Sequence, residues 1–240
     1  MESTGRHWLS FLPWVTAFAV AMGFLESAVV VYLRAVAYPE GFHFPLRPLD
    51  ARLVITELLR EAATLVMLLA PGALISPKRM ERFAWFCWSF AVWDLFYYVF
   101  LKLILGWPES WFTWDVLFLL PTVWVGPVLA PCMVSVGLLL LAVAILRGRE
   151  RVADFGPSAL QWALLILSGA VMLLTFTEEP VRYLIGTAPQ RTLGAPAMEA
   201  LNAYVPEVFQ WELFLGACVL ATVPLVAMFR SGGSPPAGKR

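Results

Sequence analysis

The sequence predicts an all-α fold: a polytopic transmembrane helix bundle of about six spans, with a short re-entrant or interfacial segment before the fourth. Three observations carry this expectation. Of 240 residues, 60% are hydrophobic, and the mean hydropathy is +0.74. Charged residues make up 14%, against about 25% in a soluble domain. A soluble fold needs polar residues to cover its surface, and this chain lacks them; lipid is the solvent that suits such a composition. The third observation is that the apolar residues gather into runs of about the ~20 residues that a helix needs to cross the hydrocarbon core.

Taken in order, the first run extends from about Leu12 to Leu33. Arg6 and Ala19-Val20-Ala21 give it some features of a cleaved leader, but the run continues well past that point and reads as a retained span. The second covers about Leu53 to Ile75, and the third about Phe83 to Leu105. The fourth covers about Gly126 to Leu146, with Pro127 near a first-turn position that tolerates proline. The fifth covers about Ser158 to Phe176, and the sixth about Trp211 to Phe229. Trp114 to Val125 is apolar but too short to span, and Pro121 interrupts it. Irregular backbone at membrane depth survives only when packed in protein or lining a wet cavity, so this segment is expected to be re-entrant or interfacial. Residues 1–230 therefore read as one transmembrane domain, and 231–240 as a disordered tail rich in Gly, Ser and Pro.

Lys and Arg near the span ends orient the chain. One side carries Arg6, Lys78, Arg79, Arg82, Arg147, Arg149, Arg151, Arg230, Lys239 and Arg240; the other carries Arg34, Arg47, Arg52, Lys102, Arg182 and Arg191. The richer side is expected to be cytoplasmic, together with both termini. Several function classes are excluded. The formal net charge of +0 gives no basic excess for nucleic-acid binding. The only histidines, His7 and His43, lie outside the apolar runs, so no haem held between spans is expected. Cys87, Cys132 and Cys218 are scattered in apolar runs and read as structural thiols.

The ionisable residues inside the spans are the places to look for function. Each charge at the bilayer centre costs roughly 2.5–3.5 kcal/mol on an insertion scale. Such residues are therefore expected to face the bundle interior, pair internally or touch water. By the expected topology they gather in the outer half: Glu26 in the first span, Glu57, Arg60 and Glu61 in the second, Asp94 in the third, and Asp115 opening the re-entrant segment. Glu57, Arg60, Glu61 and Thr64 share one helix face, as do Asp94, Tyr97, Tyr98 and Leu101. The candidate ligand-binding set is Glu26, Glu57, Arg60, Glu61, Asp94, Tyr98 and Asp115. The alternative for the same residues is an ion-paired network that only fixes helix packing. Ala19, Gly23 and Ser27, four residues apart, would let the first helix pack closely on a neighbour. A short internal echo also exists. Glu26 and Arg34 precede Tyr38-Pro39-Glu40-Gly41-Phe42, and Asp94 and Lys102 precede Trp107-Pro108-Glu109-Ser110-Trp111. The eight-residue spacing puts acid and base on one face in both.

The strings ESAVVVYLR (26–34), YPEGFHFPL (38–46), TELLREAATLVML (56–68), FAVWDLFYYVFLKLILGWPES (90–110) and WDVLFLLPTVWVGPVLAP (114–131) resemble a family of bacterial polytopic membrane proteins with no assigned activity. The resemblance implies a bacterial cytoplasmic membrane location and a shared outward-facing polar site, and supplies no chemistry. Three functions then compete. An extracytoplasmic-facing acidic pocket would bind or transport a small cationic or polar ligand or a divalent ion, since carboxylates without histidine suit hard cations or organic cations. A membrane-embedded enzyme would use paired carboxylates on a lipid or its headgroup, as acid and base or around a divalent cation. A scaffold would join a membrane-protein partner or a second copy of itself. The partners expected throughout are the lipid bilayer and a small ligand or ion.

Overall fold

The computed structural model describes residues 7–47, 50–152, 154–187 and 203–231. The expected tail after Ser231, and the basic residues Arg6, Arg191, Lys239 and Arg240, lie outside the described residues. Among the described residues six helices follow in order: α1 (His7–Ala37), α2 (Ala51–Ile75), α3 (Arg79–Leu105), α4 (Leu129–Arg151), α5 (Ala159–Thr187) and α6 (Trp211–Ser231). Between α3 and α4 stand two antiparallel strands, β1 (Trp114–Phe118) and β2 (Trp124–Pro127).

Helices α1, α3, α4, α5 and α6 are long and apolar enough to cross a membrane. The expected second span, α2, is not among them, and it carries Arg52, Glu57, Arg60 and Glu61 in its first half. Even so, α2 has 25 residues, and its outer face is apolar: Ile55, Leu59, Val66 and Leu74 are exposed, while Glu57 and Glu61 are buried. The other helices share this inversion, with Trp14, Leu103, Leu160 and Val219 among the exposed side chains. A surface that apolar is stable against lipid rather than water.

Helix α3 is the hub, packing against α1, α2 and α4; α6 joins α4 to α5, and α1 and α2 meet only sparsely. The α1–α3 contact depends on the small residues read from the sequence. A Cβ on Gly23 would lie 2.9 Å from the Trp93 carbonyl oxygen. Ala19 and Ser27 are fully buried beside it, and the Ser27 hydroxyl donates to the Tyr97 carbonyl at 3.0 Å. Helix α3 ends at Gly106 in the left-handed conformation (φ 69°), whose N–H bonds back to the Lys102 carbonyl.

The two ends of the bundle differ. At the end holding the N-terminus of α1, an apolar core closes the bundle around Trp85, Cys87, Leu141, Ile145 and Met228. There Glu81 accepts from Ser76 at 2.6 Å and pairs with Arg149 at 2.9 Å, tying the α2–α3 turn to α4. At the opposite end the strand pair enters the bundle. Phe118 packs between Phe90 and Trp93 of α3 on one side and Trp124 on the other.

Two boundaries correct the sequence reading. Gly126 and Pro127, expected in the first turn of the fourth helix, belong to β2, where they pair with Asp115 and Trp114, and α4 starts at Leu129. Gly126 is placed there by contact: a Cβ would lie 2.8 Å from the ring of Phe176. Helix α5 does not stop at Phe176 but runs to Thr187 through Pro180. Its extra turns are held by polar contacts: Glu179 accepts from the Tyr204 hydroxyl at 3.0 Å and the Glu207 N–H at 3.1 Å. The segment before α4, expected to be re-entrant or interfacial, takes the form of a β-hairpin, and the apolar composition of both strands concealed its strands.

Candidate functional site: an acidic cavity under the hairpin

Helices α1, α2 and α3, the hairpin and the first turns of α4 enclose a cavity of about 480 Å³. All seven residues proposed from the sequence line it: Glu26, Glu57, Arg60, Glu61, Asp94, Tyr98 and Asp115. The structure also brings in Arg34, Tyr97 and Ser135.

The charges fall into three groups. The first bridges α1 and α2. Arg60 is placed between Glu57, 2.8 Å away on its own helix, and Glu26 across the gap on α1. Glu26 also accepts from the Thr64 hydroxyl at 3.3 Å. The i, i+3 spacing of Glu57 and Arg60 makes the first contact; the close seat of α1 on α3 brings Glu26 into reach.

The second group fixes the base of the hairpin. Asp115 in β1 is 2% exposed and lies 3.4 Å from Arg34 of α1. It accepts from the Tyr98 hydroxyl of α3 at 3.2 Å. The Arg34 guanidinium is flanked by aromatic faces, 3.8 Å from the centre of a Trp107 ring and 4.5 Å from that of Phe42. Arginine keeps its charge in such surroundings because its delocalised cation stacks well on π-faces. At the cavity mouth, outside the spans, burial pushes the Tyr38 hydroxyl above its ordinary value, against the pull of the Arg47 N–H and of the Arg47 and Arg34 charges.

The third group has no cation within ion-pair distance among the described residues, although the Arg60 charge acts on Glu61 from further away. Both oxygens of Glu61 accept from the Leu119 N–H, at 3.1 and 3.0 Å. Leu119 follows β1 at the hairpin turn, and Glu61 stands about 15 Å along α2 from Ala51 at 1.5 Å per residue. The turn therefore reaches well into the depth of the bundle, and a side chain of α2 satisfies its backbone. Asp94 of α3 accepts from the Ser135 hydroxyl of α4 at 2.7 Å. Neither Glu61 nor Asp94 has an ion-pair partner among the described residues.

The remainder of the wall is apolar and aromatic, from Phe90, Trp93, Phe118, Trp124 and Phe176. The indole N–H groups of Trp93 and Trp124 are buried and have no hydrogen-bond partner among the described residues. Among the described residues no three His, Cys, Asp or Glu side chains are grouped to hold a metal ion.

Sequence reasoning placed Arg34 only as an exit charge. Its opposition to Asp115 is a contact between residues 81 apart, and nothing local signals it. Lys102, its counterpart in the internal echo, turns away: its ammonium donates to the carbonyls of Gly106 and Pro108, outside the cavity. The two halves of the echo are therefore not structurally equivalent.

Fold and site together define a polytopic α-helical membrane protein with a set of buried charges. The chain matches no protein-family model, no curated protein and no solved structure.

Proposed function

We propose that this protein binds a small cationic ligand in the acidic cavity, within the bacterial cytoplasmic membrane and from its extracytoplasmic side. The observation that carries this reading is the charge balance of the wall. Five carboxylates, Glu26, Glu57, Glu61, Asp94 and Asp115, face Arg34, Arg60 and, at the mouth, Arg47. Arg60 and Arg34 are engaged by Glu26, Glu57 and Asp115. That leaves Asp94, and Glu61, which Arg60 reaches only through longer-range electrostatics, as the groups able to attract a further positive charge. Buried carboxylates are tolerated when paired, and a cationic ligand supplies the missing partner.

An organic cation suits the cavity better than a divalent ion, because the carboxylates do not converge on one point and the intervening wall is apolar. Binding is favoured over passage, since no residue of the apolar core around Trp85 and Ile145, at the other end of the bundle, lines the cavity. The basic residues at the closed end, Lys78, Arg79, Arg82, Arg147 and Arg151, support an orientation with that end in the cytoplasm.

The test is thermal unfolding of the detergent-purified protein across small ammonium ions, Mg²⁺, Ca²⁺, Mn²⁺ and Zn²⁺, beside a Glu61→Gln/Asp94→Asn variant. A ligand at 100 times its dissociation constant adds about 2.7 kcal/mol to the folded state. Stabilisation by an ammonium ion, absent from the variant, is the expected result. A wild type that responds to no ammonium ion refutes the reading and leaves the charges as a packing network.

A further inference from the structure

We infer that the ligand of this cavity is a linear organic dication, two protonated amines joined by a polymethylene chain. This rests on the cationic-ligand reading and specifies it. The first support is the size of the excess charge: carboxylates outnumber guanidinium groups in the lining by two. The second is that the two carboxylates outside ion-pair distance of any described cation each keep acceptor capacity. Asp94 accepts from the Ser135 hydroxyl with Oδ2, while its Oδ1 accepts nothing among the described residues and keeps accessible surface. Glu61 uses both oxygens on a single donor, the Leu119 N–H, and a carboxylate has about four lone-pair positions. Each can therefore accept from an ammonium group while keeping its present bond.

These two carboxylates stand at one depth on different helices. Helices α2 and α3 pack against each other and run in opposite directions from the short turn between them. Gly72 of α2 seats against Arg82 and Trp85 of α3, where a Cβ would lie 2.8 Å from the Arg82 carbonyl oxygen. Glu61 lies eleven residues from Gly72, and Asp94 lies twelve from Arg82 and nine from Trp85. At 1.5 Å per residue, both are roughly 16 Å beyond that contact. The hairpin turn agrees with this level: Leu119 donates to Glu61, and the adjacent Phe118 ring is 6.1 Å from that of Trp93, the neighbour of Asp94 in the chain. The axes of packed helices lie about 8–10 Å apart, with Glu61 turned to the hairpin and Asp94 to α4. One point charge does not serve two acceptors set apart in this way. Two ammonium groups on one chain do, and the methylenes between them lie against Phe90, Trp93 and Phe118 of the lining. Once one end is bound, the other is held at high effective concentration beside its carboxylate.

Equilibrium binding of radiolabelled α,ω-diamines with three to eight carbons, to the protein in nanodiscs with empty discs subtracted, tests the inference. Affinity should pass through an optimum at one chain length. The best diamine should bind at least about tenfold more tightly than the alkylammonium with the same number of carbons. Mg²⁺, which carries the same charge at a single point, should not displace it at tenfold excess. Glu61→Gln and Asp94→Asn, each alone, should lower the diamine to the level of the alkylammonium and change the alkylammonium itself only a few-fold. Should either variant fail to fold, the wild-type chain-length series and the comparison with alkylammonium still decide. Diamines no tighter than alkylammonium ions, affinity without an optimum length, displacement by Mg²⁺, or folded single variants that keep the preference for the diamine overturn the dication assignment and leave the cation pocket standing. No saturable binding of any ammonium overturns both.

Discussion

The seat of α1 on α3 positions two of the cavity's charges, and Gly23 controls it. In Gly23→Ala the new Cβ would sit 2.9 Å from the Trp93 carbonyl oxygen, and 3.2 Å from the Phe96 Cβ and the Tyr97 nitrogen. Two of these three neighbours are backbone, so neither can rotate away. Reaching ordinary contact near 3.4 Å requires the helices to part by about half an ångström. That separation also stretches the 3.0 Å bond from Ser27 to the Tyr97 carbonyl. Overpacking of this kind costs roughly 1–3 kcal/mol, and alanine recovers about 1 kcal/mol of helix propensity over glycine. The expected net loss is about 1 kcal/mol for Gly23→Ala, rising to about 3 kcal/mol for Gly23→Val. Gly137 of α4 is the control: a Cβ there meets nothing within 4 Å, so Gly137→Ala should stabilise by about 0.5–1 kcal/mol. Reversible unfolding in mixed micelles, titrated with a denaturing detergent, measures all three. If Gly23→Ala matches Gly137→Ala in sign and size, the close approach of α1 and α3 is refuted.

Two further outcomes follow from the polar contacts. Arg60→Met strands Glu26 and Glu57 in a buried setting. Its expected cost is about 2–4 kcal/mol, below the full buried-pair value because the arginine side chain keeps 21% exposure. Adding Glu26→Gln should recover a large part of that loss in a double-mutant cycle, and strict additivity would rule out the α1–α2 bridge. Glu61→Ala removes the acceptor for the Leu119 N–H and should cost roughly 1–3 kcal/mol, with faster amide exchange at Leu119. Glu61→Gln, which keeps a carbonyl oxygen at the same place, should slow that exchange back toward wild type; equal exchange in the two variants would contradict the capping role.

The helices were legible because their signal is local. Apolar runs marked the spans, and the three- and four-residue spacings of Glu57, Arg60, Glu61 and Thr64 defined an inward face that the structure turns toward the cavity. Depth arguments alone grouped Glu26, Asp94 and Asp115 with them. What stayed hidden was set by distant partners. Trp114–Phe118 and Trp124–Pro127 have no polar alternation, because both strands are wrapped by protein, so their period-2 signal is missing. Arg34 and Lys102 look equivalent in sequence, yet one meets a carboxylate brought in by the hairpin and the other caps its own helix end. The extension of α5 past Phe176 depends on Tyr204 and Glu207, which arrive from the far side of a long connection.

The bond between Glu61 and Leu119 has a consequence for biogenesis. A turn lowered to that depth needs its amide satisfied by something other than water, and the acceptor is supplied by α2, which precedes it in the chain. As the polypeptide emerges, α2 and α3 are made before the hairpin and can form the wall that receives it. Helix α4 then follows and donates Ser135 to Asp94. The acceptor is thus synthesised before its donor, and the hairpin need not wait in the lipid with an unsatisfied backbone. A permuted gene that placed α2 after the hairpin would keep every contact of the finished structure and lose this ordering, so its defect would show in yield of inserted protein rather than in stability once assembled.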